Sequence, residues 1–103
     1  MNISDIQTAV TSQQVLITNH ADLEAEEDDL QFEEIFASVL NGKIIEHYPD
    51  DKPYPSCLIL GTTSNEKPIH SVWAYDQNKQ IAILITVYCP DPERWINWRV
   101  RKN

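Results

Sequence analysis

A chain of 103 residues with 16 acids, 8 bases and a net charge of −8 is the size of one domain, able to bury roughly two thirds of its unfolded surface and fold without staples. That charge opposes nucleic acid for the chain as a whole. No apolar run approaches the ~20 residues of a membrane span, and the opening MNISDIQTAV lacks the basic start and apolar stretch of a signal peptide. Cys57 and Cys89 lie in apolar runs of a chain with no export signal, which reads as buried thiols rather than a disulfide or metal pair, in a cytoplasmic protein.

In chain order, Ile3, Ile6 and Val10 sit at i, i+3 and i+7, so residues 3–10 read as a short helix with Ser4 as its cap. Gln14–Thr18 is a brief extended apolar stretch. From Asn19 a second helix is expected, capped by Asn19, with Ala21, Leu23 and Ala25 as good formers. It opens an acidic run: residues 22–34 carry half of all the acids. Phe32, Ile35, Phe36, Val39 and Leu40 make residues 31–41 the clearest helix, with Gly42 as its stop.

After Gly42 the period becomes strand-like. Lys43–Tyr48 is a first strand, ended by Pro49-Asp50-Asp51-Lys52-Pro53, and Tyr54–Gly61 is a second, followed by TTSNEKP. Ile69–Tyr75 and Gln80–Tyr88 form a hairpin across Asp76-Gln77-Asn78. With only two glycines in the chain, Asn is expected to supply any other left-handed turn residue, here Asn78. Tyr75 then pairs with Lys79, and His70, Val72, Ala74, Ala82, Leu84, Thr86 and Tyr88 share one face. Ile69, Trp73, Tyr75, Ile81, Ile83, Ile85 and Val87 line the other, against the helices. A two-residue loop would shift the register and put His70 opposite Thr86 across the sheet.

Four groups of residues carry the chemical possibilities. His70 is a lone histidine in an apolar strand, by default a hydrogen-bonded structural residue. Thr86 and Tyr88 beside it add a hydroxyl and a phenol to a group that titrates near neutral pH. His20, Glu24 and Asp28 recur every fourth residue on one helix face. They read as a carboxylate-oriented acid or base, or as a solvated acidic face. Ligands spread over two turns reach a metal ion poorly. The proline-rich segment 48–56 is either a rigid turn or the lip of a groove that presents Tyr54 for base stacking. The tail holds Arg94, Trp95, Trp98 and Arg99, and residues 94–103 carry half of all the bases with no acid. Such residues bind RNA by stacking and phosphate contact, or else the tryptophans anchor a terminal helix. His47 is expected to be exposed. There is no Gly-rich phosphate loop, no GxSxG and no CxxC.

These runs, in order, are His20-Ala21, Gly42-Lys43-Ile44-Ile45-Glu46-His47-Tyr48-Pro49-Asp50-Asp51, Pro55-Ser56-Cys57-Leu58, Pro68-Ile69-His70-Ser71-Val72 and Thr86-Val87-Tyr88-Cys89-Pro90-Asp91-Pro92-Glu93-Arg94-Trp95. Over residues 20–95 the chain resembles an uncharacterised bacterial domain family of unknown function. The resemblance implies a fold related to the RelE and MqsR type of messenger-RNA interferase toxin. It also implies an antitoxin partner, an RNA substrate and metal-independent cleavage through attack by a ribose 2′-hydroxyl. By motif position His20 and His70 would be the acid–base pair, Tyr88 a proton donor or phosphate ligand, Thr86 a positioning group and Arg94 a source of charge. Where many relatives carry arginine after the helix histidine, this chain has Glu24 and Asp28.

The expectation is therefore one α+β domain over residues 1–103. Two or three N-terminal helices (19–41 the helical part) pack on a four-stranded antiparallel sheet (43–88) of RelE/barnase-like form, with an aromatic, basic tail at 90–103. Catalysis falls to His20, His70, Thr86 and Tyr88, and substrate binding to Tyr54, Arg94, Trp95 and Arg99, with no metal or cofactor and no membrane. The alternative is a non-catalytic protein-interaction module of the same fold.

Overall fold

The computed structural model describes residues 1–103. Helix α1 (Ile3–Thr11) starts on Asn2, whose side chain accepts from the Ser4 N–H, so the cap lies two residues before the expected Ser4. Strand β1 (Val15–Ile17) follows, then α2 (Asn19–Glu27), capped by the Thr18 hydroxyl through the Ala21 N–H rather than by Asn19. Helix α3 (Phe32–Leu40) opens on a reciprocal capping box between Gln31 and Glu34. Strands β2 (Lys43–Tyr48), β3 (Ser56–Thr62), β4 (Pro68–Asp76) and β5 (Ile81–Tyr88) complete the main run. No helix is long and apolar enough to cross a membrane.

The fold is α+β, with three helices on a mixed sheet of five strands ordered β1-β5-β4-β3-β2. The expected four antiparallel strands are β2 to β5. The fifth is the extended stretch after α1, which lies parallel to β5 with Val15 opposite Ala82. The helices cover one face. Ile6 and Val10 of α1, Ala21 and Ala25 of α2, and Ile35 and Val39 of α3 meet Cys57, Ile59, Ile69, Trp73, Ala82, Leu84 and Val87 in one buried cluster.

Two one-residue irregularities set the faces of β5 and β2. Along β4–β5 the pairing runs His70–Tyr88, Ser71–Val87, Val72–Thr86, then steps to Trp73–Leu84, leaving Ile85 extra. Asp76 pairs with Ile81, so residues 77–80 form the loop, and the left-handed position falls on Gln80 (φ 55°), not Asn78. Asp76 caps that loop by accepting from the Asn78 and Lys79 N–H groups. The bulge sends Ala82 and Leu84 to the helices and leaves Ile81, Ile83 and Ile85, expected there, half-buried elsewhere. His70, Thr86 and Tyr88 do share a face, although His70 stands opposite Tyr88 and not, as the three-residue loop requires, Leu84. In β2–β3 the step between Ile44–Ile59 and Glu46–Leu58 works the same way: Ile44 packs on the core and Glu46 faces the other side.

Neither glycine has positive φ. Both serve close approach of α3 to the sheet: a Cβ on Gly61 would lie 1.7 Å from the Ser38 carbonyl oxygen, and one on Gly42 2.6 Å from it. Left-handed positions fall instead on Gln13, Asp29, Glu66, Gln80, Asn97 and Trp98, so the expected reliance on Asn does not hold. The tail is not a helix. Strands β6 (Trp95–Ile96) and β7 (Val100–Arg101) pair as a small hairpin across Asn97, Trp98 and Arg99. Ile96, Val100 and Trp95 suit an extended chain, with Trp95 buried and Ile96 exposed in turn.

Candidate functional site

The site grows from the sheet face that the helices leave open. His70 projects from near the start of β4 into that face and is fully buried. Its Nε2 lies 2.6 Å from the Trp98 carbonyl oxygen. A carbonyl only accepts, so Nε2 carries the proton and Nδ1 keeps its lone pair. The Tyr88 hydroxyl, 3.1 Å from Nδ1, donates to it. Burial lowers the pKa of His70 below its ordinary value, against the opposing pull of the Trp98 carbonyl and Glu46, and favours the neutral ring. Burial also raises the Tyr88 phenol, with Glu46 and Glu24 adding to the rise and Arg101 opposing it. The pair is thus a neutral base hydrogen-bonded to a protonated phenol.

The C-terminal hairpin closes the site. The Trp95 ring stands edge-on to the His70 ring, 4.4 Å between centroids and 87° between planes. The Arg101 guanidinium lies 4.7 Å from the Trp95 ring centroid. The same guanidinium grips Glu46 with two N–H groups, Nε to Oε2 at 3.0 Å and Nη2 to Oε1 at 3.1 Å. The Tyr48 hydroxyl donates to Glu46 Oε1 at 2.5 Å. Burial raises Glu46, but the hydrogen bonds from Arg101 and Tyr48 outweigh it and hold the carboxyl below its usual range. Burial and the neighbouring carboxylate push Tyr48 up to about 12.

Beside Tyr88 a cleft of about 590 Å³ opens between the end of β5 and the hairpin, bordered by Arg94, Trp95, Arg101 and Lys102. Asp91 and Glu93 stand at its rim, and Asp91 is occupied by the Glu93 N–H. Cys89 also borders it, but burial raises its thiol, which keeps it protonated and a poor nucleophile.

A second network lies along the outer edge of β5. His20, exposed, bonds Glu24 at 3.1 Å. Glu24 also accepts from the Thr86 hydroxyl and from the Val87 N–H, and Asp28 accepts from the Cys89 N–H at 3.0 Å. The i, i+4 carboxylates therefore serve the free edge of β5 beyond the reach of β1, and the expected solvated acidic face is half-buried and engaged. No group of three or more His, Cys, Asp or Glu side chains is placed to hold a metal ion.

Of the expected site residues, His70, Tyr88 and Trp95 meet directly, Arg94 and Tyr88 border one cleft, and His20 and Thr86 join through Glu24. Tyr54 is elsewhere. Its hydroxyl bonds Asp76 at the far end of β4, six residues from His70, or about 20 Å at the rise of a strand. Arg99 is exposed on the hairpin and takes no part in the cleft. Glu46, Tyr48, Arg101 and Lys102 were not anticipated. The signal for the first two was present in the Glu46-His47-Tyr48 spacing, since residues two apart in a strand share a face.

The family model described as domain of unknown function (DUF4258) matches residues 17–89. The match takes in α2, α3 and the whole sheet except the first residues of β1, and ends one residue after Tyr88. No curated protein and no solved structure matched the chain. The chain belongs to this family of unknown function.

Proposed function

We propose that this member of the family is a metal-independent endoribonuclease, the toxin half of a bacterial toxin–antitoxin pair acting on messenger RNA in the cytoplasm. The observation that carries the reading is the neutral His70 ring accepting from Tyr88 beside a cleft edged by three cations. A ribose 2′-hydroxyl lodged there passes its proton to the Tyr88 oxygen as the phenol proton moves to His70 Nδ1. The 2′-oxygen attacks the adjacent phosphorus, a 2′,3′-cyclic phosphate forms, and the bond to the 5′-oxygen breaks. That oxygen takes a proton from His20, which shares Glu24 with Thr86, two residues from Tyr88 on the same strand. Arg94, Arg101 and Lys102 offset the charge of the phosphorane-like state. On this reading the fold is related to that of the RelE and MqsR toxins.

The reading replaces Tyr54 and Arg99 by Arg101 and Lys102 as substrate contacts. The acidic chain gathers Arg94, Arg101 and Lys102 at this cleft, with Asp91 and Glu93 beside them. One observation favours the alternative, a non-catalytic interaction module. His70 is fully buried with both nitrogens engaged, and the hairpin over it exposes Ile96 and Val100.

The test is induced expression in a bacterial host, wild type beside Tyr88→Phe and His70→Ala, with growth and RNA integrity read together. Growth arrest with fragmented messenger RNA, relieved by both substitutions in folded protein, supports the nuclease. Normal growth with intact RNA and folded wild-type protein gives the interaction module.

A further inference from the structure

We infer that Glu46 is a positioning residue for His70, acting through the C-terminal hairpin. The inference deepens the proposed function and rests on the reading of His70 and Tyr88 as the reactive pair. The hairpin has two residues in each strand, too few to hold a shape alone. It is held over His70 by three contacts, one from its turn and two from its ends. The Trp98 carbonyl takes the Nε2 proton, the Trp95 ring lies across the imidazole, and Arg101 is seated on Trp95 and gripped by Glu46.

Glu46 reaches the assembly because of the bulge in β2. A continuous ladder would put Glu46 on the same face as Ile44, against the helices. The step at Ile45 turns it to the His70 side, and Tyr48 then fixes its carboxylate from two residues on. The result is a directed chain: Glu46 orients Arg101, Arg101 seats Trp95 and the hairpin, and the hairpin sets the Trp98 carbonyl on Nε2. That last contact selects the tautomer and leaves Nδ1 as the acceptor for Tyr88. Glu46 itself touches neither Tyr88 nor the cleft.

The Glu46–Arg101 pair is partly exposed, with Arg101 61 % and Glu46 24 % accessible. Exposed pairs add little stability, so the role lies in register. A two-pronged guanidinium–carboxylate contact fixes position and angle in a way that a single hydrogen bond does not.

The experiment uses the full chain without RNA, as wild type, Glu46→Gln, Glu46→Asp and Arg101→Gln. Carbethoxylation with diethylpyrocarbonate followed by peptide mass analysis reads His70 exposure. His20 and His47, both exposed, are the internal standards, and thiol labelling of the buried Cys57 reports global unfolding. Nitrogen NMR of the imidazole rings reads the tautomer. Wild-type His70 is expected to be unlabelled and in the single Nε2–H form. In Glu46→Gln and in Arg101→Gln, His70 labels at least about tenfold faster and shows mixed tautomers, while His20, His47 and Cys57 are unchanged. Glu46→Asp recovers part of the protection, and the double Gln variant labels no faster than either single one. Protection and tautomer retained in both Gln variants overturn the inference. Cys57 labelling in step with His70 overturns it too, since Glu46 is then a stability residue. These readouts need no RNA, so failure of the nuclease reading and failure of this inference are separate results.

Discussion

Across the β4–β5 ladder His70 stands directly opposite Tyr88, and its Nδ1 accepts the Tyr88 hydroxyl proton at 3.1 Å. The pairing joins a group kept neutral by burial to a phenol kept protonated by burial. If the proposed nuclease mechanism holds, removing the phenol oxygen breaks its proton path without opening a cavity. Tyr88→Phe is expected to lower the cleavage rate by at least about 10²-fold. It should cost about 1 kcal/mol of stability, with unchanged far-UV circular dichroism. Single-turnover cleavage of a short single-stranded RNA and urea unfolding measure the two.

The environment of His70 also fixes a sign for the pH dependence of stability. Burial lowers its pKa from 6.5, so just below that value the unfolded chain holds more protons than the folded one. Stability therefore falls as pH drops through 6.5 and levels off once the folded ring is itself charged. Urea midpoints at about pH 7.5 and about pH 5.5 should differ more for wild type than for His70→Gln. The slope due to His70 stays below about 1.4 kcal/mol per pH unit, the limit for one proton. Equal slopes in the two proteins would show that His70 is not the titrating group.

The helical part of this fold is legible in the sequence because Phe32, Ile35, Phe36, Val39 and Leu40 repeat at the helical period and leave one face to bury. The strands are legible for the same kind of reason, and His70, Thr86 and Tyr88 stand out as polar residues in apolar runs. The bulges are not. Ile81, Ile83 and Ile85 alternate without interruption, and isoleucine is apolar on either side of an inserted residue, so hydropathy carries no trace of the step at Ile85. The parallel pairing of β1 is equally hidden, since three residues define it and its partner lies 67 positions away, as the Thr18 hydroxyl bond to the Ile85 carbonyl shows. Glu46 and Arg101 escape notice because 55 residues separate them and only the folded sheet brings them together.

Glu24 and His20 differ in how far the fold depends on them. Glu24→Ala leaves the Val87 N–H and the Thr86 hydroxyl without their acceptor, at a cost of about 1–3 kcal/mol. His20→Ala removes only the exposed member of the pair and should change stability by less than about 0.5 kcal/mol. Urea unfolding of both variants tests the difference. A large loss in His20→Ala would place the histidine in the fold rather than in the chemistry.

On the proposed nuclease reading, Arg94, Arg101 and Lys102 at the cleft contact the substrate. Lys102→Ala should weaken binding of a single-stranded oligonucleotide several-fold and reduce its salt dependence, each lost phosphate contact lowering the log–log slope by about 0.7. Tyr54→Ala, on the Asp76 side of the sheet, should leave both unchanged. Fluorescence anisotropy titrations at several salt concentrations measure affinity and slope together. A loss at Tyr54 equal to that at Lys102 would move the binding surface to the other end of β4.

The carboxylates of α2 have a consequence for how this chain behaves among copies of itself. Beyond Leu84, β5 has no strand paired on its outer side, and a bare row of N–H groups there would be a template on which another polypeptide could lay down a strand. Glu24 and Asp28 occupy the Val87 and Cys89 donors from within the same chain. They also bring negative charge to the stretch of β5 on which an incoming strand would dock. The acids that look like surplus charge in the sequence thus close that margin of the sheet to runaway growth.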